Sequence, residues 1–266
     1  MKKINIILFL LFSTFMFGQT SLPTPKATNF AFKDGEWLKY RMSYSNALNA
    51  GFSTMSVSEV YNDGKEAFHI TGEGKSTGIV SLFFKVRDEY QTYMYKESLK
   101  PYKFIRNINE GGYTKNKEIV FNHNEKKATV NNIKHNTVED YSIPDEIQDL
   151  LSTLYYLRNQ DLSKLKEGEE ISIKMFFDQE VNDFKLRMIG REIIKTKFGK
   201  FKTLKFKPLV QSGRVFKEQE SVTVWISDDK NKVPLRIKAS LAIGSLRADL
   251  DQFKGLAHPF NIIFDN

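Results

Sequence analysis

Leu38-Lys39-Tyr40-Arg41-Met42-Ser43-Tyr44 alternates apolar and polar side chains without a break. Successive side chains of an extended strand point to opposite faces, so this period of two puts Leu38, Tyr40, Met42 and Tyr44 on one dry face. The same pattern recurs in Ile171-Ile173-Met175-Phe177, Phe184-Leu186-Met188, Val222-Val224-Ile226 and Leu235-Ile237-Ala239-Leu241. Strands wet on one side and dry on the other belong to antiparallel sheets, because parallel sheets are covered on both faces.

Turn chemistry divides these runs. Asn62-Asp63-Gly64-Lys65 lies between two strand patterns, and Asp-Gly supplies the positive φ that a tight hairpin needs. Glu110-Gly111-Gly112, Asn122-His123-Asn124, Asp178 to Asp183, Phe198-Gly199-Lys200 and Ser227 to Asn231 fill the same role. Their spacing predicts a meander of about 12 long strands.

One segment departs from this period. Ile147, Leu150, Leu151, Leu154, Tyr155 and Leu157 recur at helical spacing. Asp145, with Gln148 three residues on, has the form of a capping box, and Arg158 suits the negative end of a helix dipole. An amphipathic helix is predicted at about 146–158 on these signals. The fold class that follows is mainly β: a long antiparallel meander curled into a barrel or half-barrel, with the helix plugging or covering the opening. Two β lobes joined through the helix are the alternative; either arrangement removes exposed sheet edges.

Working outward, the N-terminus carries Met1-Lys2-Lys3 and then the apolar run Ile6 to Phe12. This is the layout of a secretory signal peptide over residues 1–18, cut after Gly18. The run is too short to cross about 30 Å of hydrocarbon. Residues 19–34, with two prolines, read as a tether, and 35–266 as a single β-rich domain. Nothing later in the chain reaches the length of a membrane helix, so no transmembrane span is expected in the mature protein.

The chain has no cysteine, which excludes disulfides, zinc–thiolate sites, cysteine nucleophiles and lipoprotein attachment. Without Lys2 and Lys3, 38 basic residues stand against 32 acidic ones, a net charge of +6. The surplus is scattered, as expected for the polar faces of exposed strands. No nucleic-acid motif appears, and no nucleic-acid partner is expected.

Apparent motifs weaken on inspection. Gly72-Glu-Gly74-Lys75-Ser76-Thr77 contains a Gly-Lys-Ser run but lacks the glycine five positions before Gly74 that a phosphate loop needs, where His69 stands, and it is expected to lead into a further strand. His69, His123, His135 and His258 show no metal-ligand spacing. Asp228-Asp229-Lys230-Asn231 lacks the glycine and distal glutamate of a calcium loop and reads as a solvated hairpin tip. No Gly-x-Ser-x-Gly elbow is present. Accordingly no catalytic, cofactor-binding or metal residue is assigned.

Composition is enriched in Phe (22) and Tyr (11). Leu82-Phe83-Phe84, Tyr90 to Tyr95 and Tyr155-Tyr156 could line an apolar cavity in a curled sheet, or simply fill its core. Met42, Met55, Met94, Met175 and Met188 would make such a lining adaptable.

Several phrases, in order, carry a family resemblance. They are Phe32-Lys-Asp-Gly35-Glu36-Trp-Leu38-Lys-Tyr40 with Ala50-Gly51, then Asp149-Leu-Leu-Ser152-Thr-Leu-Tyr155-Tyr-Leu-Arg158. Gly190 to Thr203 with Pro208, Val224-Trp225-Ile-Ser227-Asp-Asp229 with Pro234, and Ala242-Ile-Gly244-Ser245-Leu-Arg-Ala248 complete the set. Over residues 32–253 the chain resembles the domain of unknown function 3108 family of exported bacterial proteins. The resemblance implies export and lends no catalytic residue.

The functional expectation is a non-enzymatic periplasmic protein that binds an apolar or amphiphilic envelope component, lipid or glycolipid, within the curved sheet. A structural partner of an envelope protein assembly is the alternative. A glycan or lipid hydrolase, which would need two converging carboxylates, ranks below both.

Overall fold

A computed structural model describes residues 19–20, 30–45, 48–209, 221–241 and 244–264. The expected signal peptide and its cut after Gly18 lie outside the described residues. In chain order the first strands are β1 (Gln19–Thr20), β2 (Trp37–Tyr44), β3 (Leu48–Asn62) and β4 (Lys65–Ser76), followed by the short helix α1 (Gly78–Phe83). β5 (Arg87–Tyr95), β6 (Pro101–Glu110), β7 (Tyr113–Asn122), β8 (Lys127–Asn132) and β9 (Thr137–Ser142) lead to helix α2 (Leu150–Arg158). Then come β10 (Glu170–Phe177), β11 (Glu180–Thr196), β12 (Gly199–Leu209), β13 (Val222–Ser227), β14 (Pro234–Ser240), β15 (Ser245–Lys254) and β16 (Ile262–Ile263).

All of these strands belong to one sheet, which rules out the two-lobe alternative. Its order is β1-β10-β11-β12-β13-β14-β15-β2-β3-β4-β5-β6-β7-β8-β9, with β16 beside β12. Two meanders, β2–β9 and β10–β15, are thus spliced where β15 pairs antiparallel with β2. Strands β9 and β10, neighbours in sequence across α2, end up at opposite sides of the sheet. Curling brings these sides together, and side chains rather than a ladder close the seam. Asp178, in the β10–β11 turn, accepts from Arg106 Nη1 (2.6 Å) and Lys115 Nζ (2.7 Å). Gln179 bonds to Lys117, Glu139 and Tyr141, and Phe176 packs edge-on against Phe121. The architecture is a half-closed barrel.

From β2 to β15 strand direction alternates around this barrel, so turns after even-numbered strands share one end, the α1 end, and turns after odd-numbered strands share the other; β1 runs parallel to β10. Among the described residues there are sixteen strands rather than about twelve. The excess includes the two-residue strands β1 and β16 and the β8–β9 hairpin, whose turn at Ile133 to Asn136 has no glycine to announce it.

The predicted helix is present, but it starts at Leu150, not at 146. Asp149 is its N-cap: the carboxylate accepts from the Leu151 and Ser152 amides (2.9 Å each), and Ser152 Oγ accepts from the Asp149 amide (2.8 Å). Gln148, expected to close a capping box with Asp145, instead forms a bridge to β10. Its amide donates to the Lys174 carbonyl (2.9 Å), and its carbonyl accepts from Phe176 (2.8 Å). Glu146 has a positive φ of 60°, incompatible with helix. A second correction concerns Gly72 to Thr77. It closes β4 and leads directly into α1, where a further strand was expected.

The interior is filled from the sheet's concave face and by α2. Phe32, Phe68, Ile70, Phe104, Tyr155, Phe176 and Phe206 anchor the main core. Phe32, at the end of the expected tether, is fully buried against Phe68 and Tyr155. A smaller cluster, Leu38, Tyr40, Ile194, Phe201, Trp225, Val233, Leu235 and Leu250, is covered by Phe253 and Phe260 near the C-terminus.

Candidate functional site, an apolar cavity under helix α2

Helix α2 crosses the barrel interior against β4, β5 and β10. Its fit begins with a missing side chain. Gly72 in β4 faces Leu151, and a Cβ at that position would stand 3.3 Å from Leu151 Cδ2. Gly72, the first glycine of the apparent phosphate motif, leaves Leu151 room against β4.

The helix divides the interior. Tyr155 turns toward Phe32, while Leu150, Leu151, Leu154 and Leu157 face the other way across a cavity of about 280 Å³. The opposite wall is built by Met55, Met175, Phe184, Leu186, Val224 and Ile226, with Pro208 beside them. Pro208 is admissible in β12 because the β12–β13 ladder stops at Phe206, so no partner on that side needs its missing N–H. Phe184, Pro208 and Val224 lie close to the α1 end. Leu162 and Lys232 lie toward the other. Leu150 is exposed and Leu154, Phe184 and Val224 are only partly buried, so the cavity communicates with solvent.

Among the described residues that line it, only Thr153, Arg158 and Lys232 carry polar side chains. Thr153 Oγ1 donates to the Asp149 carbonyl (2.6 Å). Arg158 donates through Nη1 and Nη2 to Glu36 Oε1 and Oε2 (2.6 and 2.8 Å), through Nη2 to the Ala31 carbonyl (3.1 Å) and through Nε to the Asn231 carbonyl (3.0 Å). Both are committed to structure. Lys232 is the remaining polar group; burial lowers its pKa, with Asp161 and Asp229 acting the opposite way. The site is thus an apolar slot with the Lys232 ammonium at its far end.

The aromatic clusters singled out in the sequence separate. Tyr155 and Tyr156 are buried, and Tyr90 packs on the core beside Phe104. Tyr93 and Tyr95 instead pack with His69 and Tyr102. Leu82-Phe83-Phe84 does not line the cavity at all, because α1 holds these residues out in solvent. Of the methionines, Met55 and Met175 line the slot, Met94 and Met188 are solid core, and Met42 lies outside it.

The polar motifs resolve into structure. His123 Nε2 donates to the Pro101 carbonyl (2.7 Å), and His258 Nε2 to that of Phe30 (3.1 Å). Asp228 to Asn231 is more than a solvated tip. Asp229 Oδ1 accepts from Ser227 Oγ and from the amides of Asn231 and Lys232, and buried Asn231 ties His258 to Arg158. Sequence reading missed Glu36 and Asn231 as anchors because their partners are remote in the chain.

No helix among the described residues is long and apolar enough to cross a membrane. No curated protein matches the chain. A solved β-barrel-like protein of domain of unknown function DUF1849 from Brucella abortus superposes with a TM-score of 0.53 at 7% identity, over 84% of this chain and 98% of that one. That likeness shows a shared fold. A DUF1089 family protein from Pseudomonas aeruginosa gives a TM-score of 0.34 at 6% identity, over 68% and 87% of the two chains. A Bacteroides fragilis protein ascribed to export, with a YmcC-like fold, gives 0.32 at 10% identity, over 85% and 100%. The family described as Protein of unknown function (DUF3108) matches residues 39–251, and the chain belongs to that family.

Proposed function

We propose that this is a non-enzymatic, periplasmic binding protein that takes an acyl chain of a lipid or glycolipid into the slot under α2. The observation that carries this reading is the slot itself: about 280 Å³, open to solvent, and lined by apolar side chains apart from Thr153, Arg158 and Lys232. Such volume falls at the lower end of ligand pockets, about 300 Å³, and suits part of one hydrocarbon chain. The signal-peptide pattern at residues 1–18 supports delivery to the envelope.

Titration with a fluorescent long-chain fatty acid tests it. Saturable binding at one site, competed by unlabelled fatty acid, is expected. Purely linear, non-saturating uptake would count against the slot as a binding site. A second reading, a partner in an envelope assembly, is favoured by β9, an edge strand of six mostly exposed residues including Val138 (67%). Crosslinking in cells that traps a partner at Val138, with no bound lipid, would favour it.

A further inference from the structure

The α1 end of the barrel carries a concentration of apolar side chains that the core does not use. Helix α1 has no buried residue: Leu82 is 81% exposed, Phe83 85%, Ile79 55% and Phe84 51%. Single exposed hydrophobics are ordinary, but four within six residues form a patch. Tyr113 and Ile133, also exposed, begin β7 and the β8–β9 turn at this same end.

This projection is held in place. The Thr77 amide donates to the Ala50 carbonyl (3.1 Å), Val86 N–H to Ser76 Oγ (2.8 Å), and Gly111 N–H to the Lys85 carbonyl (2.9 Å). Phe84 rests on Gly111, where a Cβ would come within 2.5 Å of the ring. The patch is a fixed wedge rather than a loose loop.

Cations border it. Lys85 and Arg87 follow α1 directly, and among the described residues neither makes an ion pair within 4.0 Å. Lys134 donates to the Thr114 carbonyl (3.0 Å) and stands above the Tyr113 ring (6.0 Å), again with no carboxylate. Apolar side chains at several hairpin tips, rimmed by unpaired lysine and arginine, match an interface of hydrocarbon under phosphate better than one flat protein surface. Near the same end lie Phe184, Pro208 and Val224 of the slot.

We infer that the α1 end docks on an anionic lipid bilayer, with Ile79, Leu82 and Phe83 entering the headgroup–acyl boundary and Lys85, Arg87 and Lys134 meeting lipid phosphates. This surface goes beyond the acyl-binding reading and stands without it.

The test is flotation of the full exported protein with vesicles of phosphatidylglycerol and phosphatidylethanolamine, and separately of phosphatidylcholine alone. Wild type is expected to float with the anionic vesicles and less with the neutral ones. Leu82→Glu/Phe83→Glu is expected to lose binding by about a hundredfold, since two large apolar side chains leave the bilayer. Lys85→Glu/Arg87→Glu is expected to weaken binding and reduce its salt dependence. All four positions are solvent-facing, and a thermal melt of each variant confirms folding. Retained binding in Leu82→Glu/Phe83→Glu, equal binding to both vesicle types, or no flotation of wild type would overturn the inference. A dimer of wild type in sedimentation that the same substitutions dissociate, without flotation, would assign the patch to a second copy instead.

Discussion

Arg158, the last residue of α2, grips both carboxylate oxygens of Glu36, which precedes β2, at 2.6 and 2.8 Å, and both side chains are buried. The guanidinium also lies over the rings of Phe32 and Tyr155, 5.5 and 5.0 Å from their centroids. This one contact fixes the helix that forms the slot's inner wall to the start of the chain's first long strand. Removing one partner of a buried pair leaves an uncompensated charge, which costs about 3–5 kcal/mol. Arg158→Met is therefore expected to lower unfolding free energy by that amount in urea denaturation. Glu36→Gln/Arg158→Met is expected to cost less than the sum of the two single changes. Additive losses would mean that the two groups act independently.

Asp149 gives a pH signature. Burial pushes its carboxyl up to about 6, although the Ser152 and Leu151 amides and the Thr92 hydroxyl donate to it. A folded-state value above the usual 3.8 means that folding favours the protonated acid. Its stabilising contribution is complete below about pH 4 and is lost as pH rises through about 6, some 3 kcal/mol in all at 1.36 kcal/mol per unit. Against Asp149→Asn, wild type is expected to lose relative stability between about pH 4 and pH 8. A constant difference across that range would contradict the shift.

Two glycines should respond oppositely. Gly51 has φ +154°, and a Cβ there would stand 2.0 Å from the Lys75 carbonyl oxygen, beside the β2–β3 bulge. Gly51→Ala is expected to cost more than about 2 kcal/mol, because backbone must move. Gly74, on β4, has nothing within 4 Å of such a Cβ and no positive φ. Gly74→Ala should leave the thermal midpoint unchanged or slightly raised, since it restricts the unfolded chain.

The sheet was legible because its rule is local. Alternation at Leu38 to Tyr44 and at Val222 to Ile226, with turn residues at Asp63-Gly64, gave strand positions without knowledge of their partners. The bulge after Met42, however, breaks the period and buries Ser43, while Met42 and Tyr44 are only partly buried. The start of α2 was not legible from spacing alone, since Asp145 and Gln148 mimic a cap as well as Asp149 and Ser152 do. What decides is Thr92 and β10: the first bonds to Asp149 from 57 residues away, and the second holds Gln148 in a bridge. Asn231 reads as part of a solvated tip for the same reason, because the partners that bury it are remote in the chain. Leu82-Phe83-Phe84 shows the converse failure. An apolar run in a β protein reads as core, yet only the short α1 turn shows that it points outward.

Filling the slot should separate binding from folding. Val224 is partly buried on the slot's wall, so Val224→Phe can occupy free volume without displacing the main core. Affinity for the fatty-acid probe is expected to fall about tenfold or more, with thermal stability unchanged or improved. Equal affinity in the variant would place the probe elsewhere on the protein.

The most direct measurement is native mass spectrometry on protein purified gently from the envelope of its own host. If the slot holds an acyl chain, part of the population carries a reproducible added mass that organic solvent releases and that fragmentation identifies as a lipid or glycolipid, and Val224→Phe loses it. A bare mass in every preparation, together with no saturable uptake of fatty acid, would contradict the binding function.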